Sequence, residues 1–70
     1  MIAEHRLRKF QPEGEADNPE PRLLWVRWFK TRELAAKAAD EDAGVGVVWV
    51  GDTGLTETNT YDIKRYTVEF

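Results

Sequence analysis

The sequence predicts an α+β domain: a four-stranded, mainly antiparallel sheet with one helix packed on one face, in the order ββαββ. Three observations carry this prediction. A β-branched and aromatic run without a breaker occupies residues 22–30 (RLLWVRWFK). An alanine-rich stretch at helical spacing follows at 31–43 (TRELAAKAADEDA). Alternating or β-branched segments flank these at 2–10, 45–50 and 60–70.

Residues 2–10 (IAEHRLRKF) place Ala3, His5, Leu7 and Lys9 on one side and Ile2, Glu4, Arg6, Arg8 and Phe10 on the other. Charge on both sides suits an edge strand, where Lys and Arg discourage unwanted pairing. Residues 11–21 (QPEGEADNPEP) hold all three prolines, one glycine and four acids. They read as a flexible acidic Pro-rich loop joining a hairpin. In the run 22–30, Leu24, Val26 and Trp28 share one face, and Leu23, Trp25, Arg27 and Phe29 the other. Two apolar faces predict a strand in the middle of the sheet.

The helix is expected to begin at Thr31, whose hydroxyl can accept from free N–H groups of the first turn. Glu33 lies in that turn, favourably against the helix dipole. Leu34, Ala35, Ala38 and Ala39, extended by Ala43, form a mostly alanine stripe that demands close approach to the sheet. Gly44 is placed to end the helix in the left-handed conformation. A short buried strand follows at 45–50 (VGVVWV), with Val45, Val47 and Trp49 opposing Val48 and Val50. Residues 51–59 (GDTGLTETN) read as a turn or wide hairpin loop. In the last strand, Tyr61, Ile63, Arg65 and Thr67 oppose Asp62, Lys64, Tyr66, Val68 and Phe70. If the strands flanking the helix are parallel in one sheet, their crossover is right-handed. No repeat or linker divides the chain, so residues 1–70 are read as one domain.

Composition removes several functional classes. The chain has no Cys and no Ser, and one His, at position 5. Disulfides are excluded, and a structural zinc site lacks its usual ligands. A hydrolytic nucleophile would have to come from Thr, Lys, Tyr or a carboxylate, so no catalytic residue is expected. The acids at 40–42 and 52 do not follow the alternate spacing of a calcium loop. Gly44-x-Gly46 and Gly51-x-x-Gly54 precede no helix, which a phosphate cradle requires. Neither a metal nor a cofactor is expected. The N-terminus lacks the apolar core of a secretory signal, and no apolar run could span a bilayer, which suggests a cytoplasmic chain without membrane contact.

The net charge is −3, and it is uneven. Residues 1–35 carry seven basic and six acidic side chains (+1), and residues 36–70 carry three and seven (−4). Two groups stand out as binding candidates. Asp40, Glu41 and Asp42 crowd the last helical turn, where the dipole disfavours anions. Such rule-breaking can mark a surface that docks on a basic groove. Trp25, Arg27 and Phe29 share one face of their strand. One helix covers only one sheet face, so either this group or Leu24, Val26 and Trp28 stays open. An open aromatic face with an Arg has the composition of an interaction hot spot.

No motif identifies a family. In size and composition the chain is similar to phage-encoded inhibitors such as anti-CRISPR proteins. The expectation is a small non-enzymatic protein-binding module that regulates or inhibits a partner protein or nucleoprotein. The alternative is a single-stranded nucleic-acid binder. It would stack bases on Trp25, Phe29 and Trp49 and hold phosphates with Arg27, Lys64 and Arg65. A homodimer closing its open sheet face against its copy is compatible with the first reading.

Overall fold

The computed structural model describes residues 2–13 and 20–68. Its elements are β1 (Ile2–Glu13), β2 (Glu20–Phe29), α1 (Arg32–Ala43), β3 (Val48–Val50), β4 (Thr53–Leu55) and β5 (Thr60–Val68). All strands join one sheet in the order β2-β1-β5-β4-β3, and every pairing is antiparallel. The α+β class, the single helix and the antiparallel sheet therefore stand as the sequence predicts. Residues 14–19, the middle of the acidic Pro-rich segment, lie outside the described residues, as does Phe70. Residues 11–13 and 20–21 of that segment are strand.

Among the described residues the strands number five rather than four. The segment 51–59, read as a turn, contains β4. Val50 pairs with Thr53, leaving Gly51-Asp52 as a two-residue hairpin loop. Gly51 has φ 61° and Asp52 does not share the positive φ, the sign pattern of a type II′ turn. Arg32 donates to the Gly51 carbonyl (3.0 Å) and to Asp52 Oδ1 (3.2 Å), which ties the helix start to this turn.

The strand order also differs from expectation. β1 lies inside the sheet, between β2 and β5, and β2 forms one edge. A ladder needs only backbone groups, so a charged strand can sit inside if its side chains find somewhere to lie. The Arg8 guanidinium covers the Phe10 ring and chelates the Asp62 carboxylate (Nε–Oδ1 2.8 Å). Lys9 reaches Asp42. The long stems cover apolar surface while the charged heads meet partners. β2 is apolar on both faces, yet only one of them is covered.

The helix behaves as its ends dictate. Thr31 Oγ1 accepts from the Leu34 N–H (3.1 Å), and Gly44 closes the C-terminus at φ 73° with its N–H on the Asp40 carbonyl (3.0 Å). Ala35 and Ala39 are fully buried, which brings the helix axis close to the sheet. They meet Leu7, Tyr61 and Ile63, and Trp25, Phe29, Val47 and Trp49 pack around this cluster. Burial of Leu7 and Ile63 contributes about 1.5–3 kcal/mol each. The core is thus a thin layer on one side of the sheet.

Register makes the two faces explicit, because cross-strand partners point the same way. On the helix side, one row runs Trp25, Lys9, Tyr61, Gly54, Trp49 across all five strands. On the other side run Trp28, Arg6, Lys64, then Val26, Arg8, Asp62, Thr53, Val50, then Leu23, Phe10, Thr60, Leu55, Val48. Leu24 is the extra residue of a bulge where Lys9 pairs with Trp25 and Phe10 with Leu23.

Candidate partner-binding surfaces

Two surfaces emerge, one at each end of the sheet. The first is a groove of about 830 Å³ between the end of α1 and the β4–β5 connection. Val45, Val48, Leu55 and Ala43 supply its apolar lining, and Glu57, Thr56, Thr58 and Asn59 form its polar wall. Val45 and Val48 border it at 61% and 63% exposure, Val45 from the segment after the helix and Val48 from β3, where it stands on the side of the sheet away from the helix.

Hydrogen bonds brace both walls. Asp40 Oδ1 accepts from the Val47 N–H (2.9 Å) and so folds the segment after the helix. Thr56 Oγ1 accepts from the Asn59 N–H (2.9 Å) and donates to the Asn59 carbonyl (3.0 Å), closing the other wall into a compact turn. At the floor, Asp42 Oδ2 accepts from Lys9 Nζ (2.6 Å) and from the Tyr61 hydroxyl (2.7 Å). Burial pushes the Asp42 carboxyl upward, but the hydrogen bonds from Lys9 and Tyr61 and the charges of Lys9 and Arg27 outweigh it. The carboxyl is held below its ordinary range. Burial and the bond to Asp42 push the Tyr61 hydroxyl well above the tyrosine range.

The acidic triplet therefore divides. Asp40 and Asp42 are engaged inside the fold, which offsets the dipole cost of anions in the last turn. Glu41 is exposed beside them. The structure brings Asp42 into the groove with Lys9, a contact sequence reasoning did not find. The separation of 33 residues carries no local signal.

Trp25, Arg27 and Phe29 lie on the helix side of β2. The open-face placement considered for them is corrected: the open face belongs to Val26 and Trp28. Trp25 and Phe29 are half-buried against the core, and Trp25 meets Tyr61 at 6.2 Å between ring centroids. Arg27 lays its guanidinium over Trp25 at 4.4 Å. Trp49 and Arg65 also face the helix side, so the stacking platform proposed from Trp25, Phe29 and Trp49 is not a single open surface.

The second surface is the upper corner of the open face. Trp28 is 51% exposed, and its ring meets Tyr66 at 5.4 Å with a 57° tilt. Arg6 and Lys64 are direct cross-strand partners there, and each places its cation 5.2 Å from the Tyr66 centroid. Parity placed Trp28 opposite Trp25. Its neighbours became visible only once β1 and β5 were known to adjoin.

Among the described residues, no group of three or more His, Asp or Glu side chains is arranged to hold a metal ion. No helix among them is long and apolar enough to cross a membrane. Protein-family models, curated proteins and solved structures give no significant match to this chain.

Proposed function

We propose that this chain is a small non-enzymatic protein-binding module that regulates or inhibits a partner by occupying its surface. The observation that carries this reading is the groove: braced walls, with the exposed Val45 and Val48 along its border. Exposed apolar side chains grouped in one cleft favour a macromolecular occupant over water. The rim supplies the chemistry of the partner. Glu57 stands on one wall and Glu41 lies just outside the other, with no cation paired to either among the described residues. A partner segment that inserts an apolar side chain and flanks it with Lys or Arg is complementary.

The reading keeps the acidic helix end as a contact region but changes the roles within it. Asp40 and Asp42 shape the groove, and Glu41 faces the partner. Charge at the rim steers association, while the apolar insertion sets residence time. Inhibition then follows if the partner uses the same basic segment for another anion.

Affinity capture from host lysate, with nuclease treatment, tests this. The tagged chain should retain one stoichiometric protein, and Val45→Asp/Val48→Asp should release it. Glu41→Lys should weaken capture chiefly at low salt. Retention unchanged by the double variant would sink the groove as the docking site.

A further inference from the structure

We propose that the upper corner of the open sheet face binds single-stranded nucleic acid, with Trp28 as the stacking ring, held against Tyr66, and Arg6 and Lys64 as a phosphate clamp. This goes beyond the groove and involves none of its residues.

Like charges directly opposite on adjacent strands destabilise a sheet. Arg6 and Lys64 stand in that relation. Among the described residues neither makes an ion pair, and Glu4 on the same face pairs with neither. The Arg6 Nε is buried and has no hydrogen-bond partner. Nearby, the Arg8–Asp62 pair shows the alternative: an anion supplied from within the fold. At the Arg6–Lys64 pair the anion is left to a ligand.

The rings decide which anion. Arg6, Lys64 and Trp28 already crowd the Tyr66 ring, so the open aromatic surface is that of Trp28, which is half exposed. A carboxylate alone has no use for an exposed indole face. A phosphodiester strand does, because a base stacks on the indole while phosphates meet the cations beside it. Arg also accepts planar, bidentate oxyanions better than a point charge does. The acids of α1 lie on the opposite side of the sheet from this corner. On its own face Glu4 stands across from Tyr66, and Arg6 and Lys64, without an ion pair among the described residues, leave the corner locally basic.

The test is fluorescence anisotropy of a labelled oligo(dT) of about ten nucleotides titrated with the whole chain. Binding is expected at 50 mM salt. Two neutralised phosphates give a log–log salt slope of about −1.4, so affinity should fall about sevenfold by 200 mM. Trp28→Ala should weaken binding at least about fivefold, and Trp28→Phe should restore most of it. Lys64→Gln should weaken binding and halve the slope. Both positions are exposed, and circular dichroism confirms that the variants fold. Three results would overturn the proposal: no anisotropy change at millimolar protein in 50 mM salt, equal affinity for Trp28→Ala and the parent, or binding of a labelled Glu/Trp peptide in place of the oligomer. The last would assign the corner to an acidic protein segment.

Discussion

The two faces of the sheet are made from the same strands and obey opposite rules. The helix side holds Leu7, Tyr61 and Ile63 against two alanines, and there Lys9 and the Tyr61 hydroxyl both meet the Asp42 carboxylate. The open side exposes Val26 and Trp28, and among the described residues two of its cations, Arg6 and Lys64, have no matching anion. A chain with so thin a core cannot derive stability equally from both. The covered face holds the fold together, and the open face and its adjoining groove are free to bind. Each prediction below would break or sharpen that division.

The largest effect is expected at Leu7, fully buried under the helix. Leu7→Ala removes its contacts and leaves a cavity, at a cost of about 2–5 kcal/mol. In a domain this small, chemical denaturation should show a chain at or below its folding threshold. An unfolding midpoint close to the parent's would mean that the helix side is not the core.

Gly54 comes next. A Cβ there would stand 2.7 Å from Val47 Cγ1 and 2.9 Å from the Trp49 ring. Valine has little rotamer freedom to retreat, so Gly54→Ala should cost about 1–3 kcal/mol. It should also disturb the groove, because Val47 begins the segment that leads to Val48. A thermal shift within error of the parent would show that the Trp49 ring yields.

Asp42 links the two regions. Its carboxyl is held below the ordinary range, so the folded state binds the proton less readily than the unfolded one. The stability it contributes is present above the unfolded carboxyl pKa of about 3.9 and is lost as pH falls through the lower folded value. Asp42→Asn should flatten that acid limb when unfolding is followed from pH 5 to pH 2. Asp42→Ala should cost about 1–3 kcal/mol at neutral pH, because the Tyr61 hydroxyl then lacks its acceptor. An unchanged acid limb in Asp42→Asn would place the acid sensitivity elsewhere.

What the sequence could reveal follows the same division. The helix was legible to the residue, because its signals are local: Thr31 at the start, Gly44 at the end, alanines between. The partition of each strand into two faces was legible from parity except at the β2 bulge, where Leu23 crosses to the side opposite Trp25. Strand order was not, because β1 and β2 advertise the reverse of their positions. Apolar residues on both sides of β2 suggest burial on both, yet one side is bare. Charges on β1 suggest an edge, yet Arg8 and Lys9 reach partners 54 and 33 residues away. The acidic triplet drew notice for the right reason, an unfavourable dipole, but two of its members resolve that conflict within the fold. The Trp28 corner stayed invisible because it needs three strands in register.

The smallest effect on stability is expected at Val26, and it bears most directly on the division. Val26 is 40% exposed on the open side of an edge strand. Val26→Ser removes little buried surface in the monomer, so its unfolding free energy should change by less than about 0.5 kcal/mol. That outcome leaves the open face as spare surface. A loss above about 2 kcal/mol that grows with protein concentration would mean the face is covered by a second copy in solution, since linkage ties dimer stability to protomer concentration. Sedimentation of the parent over the same range would then show the dimer, with Val26→Ser shifted to the monomer. The comparison would become one between a core folded within the chain and a core completed by its copy.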